Sequence, residues 1–207
     1  MFLAGNLSYP EYADDRIPRA YSLLNRREFV NAIRREFPEL ITTASNEVRG
    51  GTCNFPISMI DQAIDGLCMP EYFLTLERSD FLLCPPGVNH PHYHNIFEGM
   101  SRGVIPVLEY AHLMRPAMQD SVNCISFRGR DGLIAAVHRV LSMPAAELNR
   151  IRRSCLEYFD KFCTPASVIR RICDADIKRI RMLNESESVP RTPQAAANDE
   201  TSLTSTR

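Results

Sequence analysis

The sequence predicts an α/β fold: a Rossmann-like, mainly parallel sheet with helices on both faces, forming a single domain. Three observations predict it. Phe81-Leu82-Leu83-Cys84 and Val104-Ile105-Pro106-Val107-Leu108 are short, continuous apolar runs, as strands buried on both faces require. Between them Tyr93, Ile96, Phe97 and Met100 fall at i, i+3, i+4 and i+7, the apolar stripe of a helix. The same alternation of strand and helix patterns continues along the chain, which is how parallel sheets are built.

This β-α-β stretch organises the rest. Pro85-Pro86-Gly87 stops its first strand. Asn89 or His90 can cap the following helix, Pro91 suits its first turn, and Gly103 suits its end. Ligands of such sheets sit at the carboxyl ends of the strands, here the loop from Pro85 to His94.

Upstream, Phe2-Leu3-Ala4 reads as a strand turning at Gly5-Asn6, and Ser8 to Leu24 as a long loop with room for a short helix. Asn25 caps a helix from Arg26 to Phe37, with Glu28 completing a capping box and Phe29, Ile33 and Phe37 facing the core. Leu40 to Thr43 is a strand, and Asn46 to Asn54, with Gly50-Gly51, a flexible loop. A segment from Ser58 or Met59 to Leu67 is read as helical, and Met69 to Arg78 as a helix with Pro70 in its first turn. Downstream, Tyr110 to Asp120 is a loop or short helix and Cys124 to Phe127 a strand. Gly129 to Gly132 turns the chain, and Asp131 caps a helix to Leu141 that buries Leu133, Ala136, Val137 and Val140. Pro144 opens a long helix to Tyr158 or Phe159, and another runs from Ala166 to about Met182. The domain is placed at residues 1–183. Residues 184–207 lack aromatic and buriable side chains, so they form a disordered tail.

Composition excludes several classes. A net charge of −1 gives no general affinity for nucleic acid. No eighteen-residue apolar run exists to span a membrane, and the N-terminus lacks the basic start of a signal peptide. Seven cysteines, odd in number and without a C-x-x-C pair, fit reduced thiols in a cytoplasmic setting, most of them small buried hydrophobes. There is no Walker loop, G-x-G-x-x-G, G-x-S-x-G or H-E-x-x-H to mark a kinase, dehydrogenase or hydrolase.

The face opposite the apolar stripe carries His94, Glu98 and Arg102 at i, i+4 and i+8. One reading is a solvated face with a weak Glu98–Arg102 ion pair. The other comes from resemblance. Leu83-Cys84-Pro85-Pro86-Gly87, Phe97-Glu98-Gly99-Met100 and Arg102-Gly103-Val104-Ile105-Pro106-Val107 resemble the donor-binding region of exostosin-like glycosyltransferases of the two-domain GT-B class. The tight motif covers about thirty residues, and a looser likeness runs from Met1 to about Ile172. The resemblance implies that Glu98 holds a nucleotide-sugar through its ribose hydroxyls. Where the family commonly has an arginine before the acidic residue, this chain has His94 and Asn95. It also implies an acceptor-binding half carried outside this stretch of chain.

On that reading the donor is held by Glu98, Gly87, His92, His94, Asn95, Arg26, Gly5 and Asn6. His92 or His94 would meet donor phosphate at a helix N-terminus. Arg26 is the choice among Arg16, Arg19, Arg26 and Arg27, because it starts a helix and a guanidinium suits a diphosphate, although a solvated first turn is the plainer role for any one of them. No catalytic base, resident cofactor or metal is assigned. The nucleotide-sugar is substrate, and the partners are a glycan acceptor and a separate acceptor domain. Residues 150–183 carry nine basic and four acidic side chains, 9 − 4 = +5, which suits peripheral contact with an anionic membrane or simply solvated helix faces. Two other readings stand beside transfer. One is a non-catalytic nucleotide-sugar or partner-binding remnant. The other is a metal-dependent hydrolase using His90, His92 and His94.

Overall fold

The computed structural model describes residues 1–13, 16–49, 53–88 and 90–174. Six strands form one sheet: β1 (Phe2–Gly5), β2 (Ile41–Thr42), β3 (Ile57–Asp61), β4 (Phe81–Cys84), β5 (Ile105–Leu108) and β6 (Ile125–Ser126). All pairings are parallel, in the order β2-β3-β1-β4-β5-β6. The fold is therefore Rossmann-like α/β. The chain moves outward from β1 to β2, returns to β3, and crosses to β4. The strand order thus reverses between β1 and β4, the place where open parallel sheets leave a crevice for ligands.

Side chains alternate along each strand and feed two cores. Phe2, Ala4, Ile60, Leu82, Cys84 and Leu108 face one way. That face is covered by α5 (Met69–Glu77) through Tyr72 and Leu76, and by α6 (His94–Met100) through Ile96 and Met100. Leu3, Met59, Leu83, Ile105 and Val107 face the other way. There α2 (Arg26–Glu36) and α7 (Gly129–Leu141) cover them with Phe29, Ile33, Leu133 and Val137. The long α8 (Ala145–Phe162) serves both cores, Ile151 on one side and Cys155 and Tyr158 on the other.

The local signals account for most boundaries. Asn25 accepts from the Glu28 N–H at 2.8 Å while Glu28 accepts from the Asn25 N–H at 2.9 Å, so the capping box forms. After α6, Gly103 takes φ +73°, the Gly103 N–H reaches Met100 O and the Val104 N–H reaches Gly99 O, each at 3.0 Å. That is a Schellman ending, for which glycine is the natural residue.

Several expectations are corrected. Ile57–Asp61 is a fully buried strand, followed by the four-residue α4 (Gln62–Asp65), where the sequence was read as helical. Asn46–Arg49 belongs to a helix, α3 (Ser45–Arg49), because Asp65 accepts both the N–H and the hydroxyl of Ser45 while Val48 is buried. α7 begins at Gly129, so Asp131 lies in its first turn and is not its cap. α6 begins at His94, beyond Pro91. The Gly87 N–H donates to Pro91 O at 3.3 Å, folding the loop back, and Tyr93 remains extended. The Ser8–Leu24 segment contains a 3-10 turn and α1 (Arg16–Tyr21), and α9 (Pro165–Asp174) is described only to Asp174. The proposed Asn89 cap, the Gly50-Gly51 loop and the tail at 184–207 lie outside the described residues. Among the described residues, no helix is long and apolar enough to cross a membrane.

Candidate functional site

The loops after β1 and β4 meet at the reversal of strand order, and Arg26 holds them together. It is only 4% exposed, so the solvated first turn does not apply to it. Its Nε donates to Pro86 O at 3.4 Å and its Nη1 to Asn6 O at 3.5 Å, and the guanidinium lies 4.9 Å from the Tyr93 ring centroid. Gly5 ends β1 beside this guanidinium. From α6, Asn95 donates through Nδ2 to Ala4 O at 3.2 Å, tying the helix start to β1. Gly87 is packed so closely that a Cβ there would stand 2.6 Å from His90 O. Gly5, Asn6, Arg26, Gly87 and Asn95 therefore lie close together where the loops after β1 and β4 meet.

The crevice lined by Arg26, Asn95, Tyr93 and Tyr110 is small, about 10 Å³, enough for roughly one water. Two buried polar atoms near it lack partners among the described residues: Oδ1 of Asn95 and the hydroxyl of Tyr110. Tyr110 is fully buried. Burial, with Cys84 beside it, pushes its phenol well above the ordinary value against the opposing pull of Arg26. It is a neutral hydroxyl at any working pH.

The three histidines occupy different settings. His92 is half-buried with its ring edge-on to Tyr110 at 5.9 Å. Burial, with His90 and Arg115 nearby, lowers its pKa despite a hydrogen bond to the Leu113 backbone, so it is uncharged near neutrality. His94 is exposed and stacks on Tyr93 at 4.2 Å. The His90 and His92 rings are 6.2 Å apart. Among the described residues no three His, Cys, Asp or Glu side chains are grouped to hold a metal ion.

Glu98 stands apart from the crevice. Its Oε2 accepts from the Tyr72 hydroxyl at 2.9 Å, linking α6 to α5. Tyr72 is 6% exposed, and burial together with the Glu98 charge pushes its phenol far up. Oε1 has no hydrogen-bond partner among the described residues. The Glu98–Arg102 ion pair does not form. Arg102 instead pairs with Glu77 at 3.3 Å and stacks its guanidinium 4.0 Å over Phe73.

Two carboxylates that the sequence reading passed over organise the same edge of the sheet. Asp61 closes β3 and accepts from the Leu7 N–H at 3.2 Å, the Ala63 N–H at 3.1 Å and the Ser8 hydroxyl. Burial raises its pKa, but these bonds and the Arg34 charge outweigh it and bring the carboxyl below its ordinary value. Glu109 follows β5 and is 4% exposed. Its two oxygens accept the N–H groups of Leu24 and Gly129, each at 2.7 Å. Asp61 ends β3 and Glu109 directly follows β5, so an acid at the close of a short apolar run was the available signal.

No protein-family model matches the chain, and no curated protein matches it. The chemistry must be read from the residues. Cys84, Cys124 and Cys155 are buried, and burial pushes their thiols up, to about 12 for Cys155, so they behave as small hydrophobes. Of the basic helix residues, Arg152 is bound to Asp80 and to Gly103 O, and Arg150 to Ser121 O. Lys178, Arg179 and Arg181, counted in the +5 balance, lie outside the described residues.

Proposed function

We propose that this chain is the nucleotide-sugar-binding, donor-side domain of a GT-B-type glycosyltransferase, passing a sugar to a glycan acceptor held by a separate acceptor-binding unit. The observation that carries the reading is the convergence of Gly5, Asn6, Arg26, Gly87 and Asn95 at the strand-order reversal of a parallel sheet. A diphosphate over these loops would lie in the field of a buried, permanently charged guanidinium. Glu98 keeps Oε1 open for ribose hydroxyls while Oε2 is held by Tyr72. In transfer the departing nucleoside diphosphate carries the developing negative charge, which this positive field would stabilise. No residue is assigned as the base.

Glu98→Gln tests the reading. Glutamine keeps an acceptor for Tyr72 and removes the charge. Calorimetric titration with nucleoside diphosphates should show binding weakened about tenfold, because hydrogen bonds to a charged group contribute about 1.5–3 kcal/mol. Equal binding by variant and wild type would leave Glu98 as a tie between α5 and α6 and remove it from the donor site.

A further inference from the structure

Beside the donor crevice lies a larger cavity of about 520 Å³. That is the size of a small-molecule site, roughly 300–1,000 Å³. Its walls are Phe97 from α6, Leu113 and Met114 from the turn after β5, Tyr158 and Phe162 from α8, and Val168 from α9. His92 and Cys163 also line it, and Arg115 and Arg171 complete the lining. No aspartate or glutamate lines it.

Two features point to its occupant. First, α9 buries none of its described side chains, and Val168 is 41% exposed although it belongs to the cavity wall. Apolar surface left open beside Phe162 favours an apolar body. Second, two arginines line it, and no carboxylate among the described residues pairs with either. Arg115 uses Nη1 on the carbonyls of His112 and Met114, and Arg171 lies 5.6 Å from the Phe162 ring centroid. An anionic head would meet both guanidiniums, whose planar forks match carboxylate and phosphate oxygens.

We propose that the groove between α6, α8 and α9 binds one single-chain amphiphilic anion, its apolar chain against Phe97, Phe162 and Val168 and its carboxylate or phosphate head on Arg115 and Arg171. The proposal is independent of the glycosyltransferase reading.

The test is calorimetric titration of the full chain with decanoate, monodecyl phosphate and decanol, all below their aggregation limits. One anion per chain should bind saturably, and decanol should bind more weakly. Preference for monodecyl phosphate would identify a phosphate head, and preference for decanoate a carboxylate head. Arg171→Glu, at an exposed position, should weaken anion binding about tenfold, a factor worth about 1.4 kcal/mol, and Val168→Asp should abolish it. Both variants should keep the wild-type far-UV circular dichroism spectrum and melting temperature in the absence of amphiphile, so a loss of binding reports on the site and not on folding. Decanol binding as tightly as the anions, many amphiphiles per chain, no binding at all, or indifference to Arg171→Glu would each overturn the proposal.

Discussion

Glu109 gives the sharpest structural prediction. It is 4% exposed, and each oxygen accepts one backbone N–H at 2.7 Å, from Leu24 before α2 and from Gly129 at the start of α7. Glu109→Gln replaces one oxygen with an NH₂ group that faces a donor. One bond is lost, and a partly buried N–H is left without its acceptor, at a cost of about 1–3 kcal/mol if water cannot replace it. The surviving bond loses its charge assistance, worth about a further 1 kcal/mol. Relief from burying a charge offsets part of this. The net loss should be about 1–3 kcal/mol, and 2 kcal/mol lowers the melting temperature of a chain this long by about 4–8 °C. Urea unfolding followed by far-UV circular dichroism measures it. Glu157→Gln, at an exposed position on α8, is the control and should stay within about 0.5 kcal/mol. If the two variants unfold at the same urea concentration, the carboxylate does not hold this edge of the sheet and the reasoning fails.

Three more outcomes follow from the geometry. Asp61 has a folded pKa below its unfolded value of about 3.9, so its stabilisation is present above that pH and is lost as pH falls through the folded pKa; Asp61→Asn should lower stability at pH 6 and flatten the acid limb below about pH 4, and an unchanged acid limb in urea melts would count against this. Gly99→Ala should destabilise by about 1 kcal/mol despite the better helix propensity of alanine, because its Cβ would stand 2.8 Å from Leu82 Cδ2 in the core; a gain in stability would show that Leu82 yields. Tyr110→Phe should raise stability by about 1 kcal/mol by removing an unpartnered buried hydroxyl, whereas a fall in melting temperature would reveal a partner for that group.

The sequence made some of this legible because local rules decide it. The Asn25–Glu28 capping box, the Gly103 ending and the β4-α6-β5 unit depend on neighbouring residues, and each formed. β3 was missed because Ile57-Ser58-Met59-Ile60 is too short an apolar run for its period to separate strand from helix; only its place between β1 and β2 decides. The start of α6 shifted because the Gly87 N–H closes the loop on Pro91 O, which holds Pro91 ahead of the helix instead of in its first turn. In the candidate site, Arg26 was legible by its position at the start of a helix, but its burial depends on Asn6 and Pro86, distant in sequence. Helical spacing paired Glu98 with Arg102, whereas α5 supplies a closer partner to each, Tyr72 and Glu77.

The central claim is that the edge between β1 and β4 binds a nucleoside diphosphate, and a thermal-shift titration of the full chain with uridine, guanosine, adenosine, cytidine and thymidine diphosphates tests it most directly. Specific binding at a ligand concentration a hundred times Kd stabilises by about 2.7 kcal/mol, which raises the melting temperature by about 5–11 °C. The account predicts a saturable rise of that order with one or two of the bases, reduced in Glu98→Gln. A flat response across all five at millimolar concentration would contradict it.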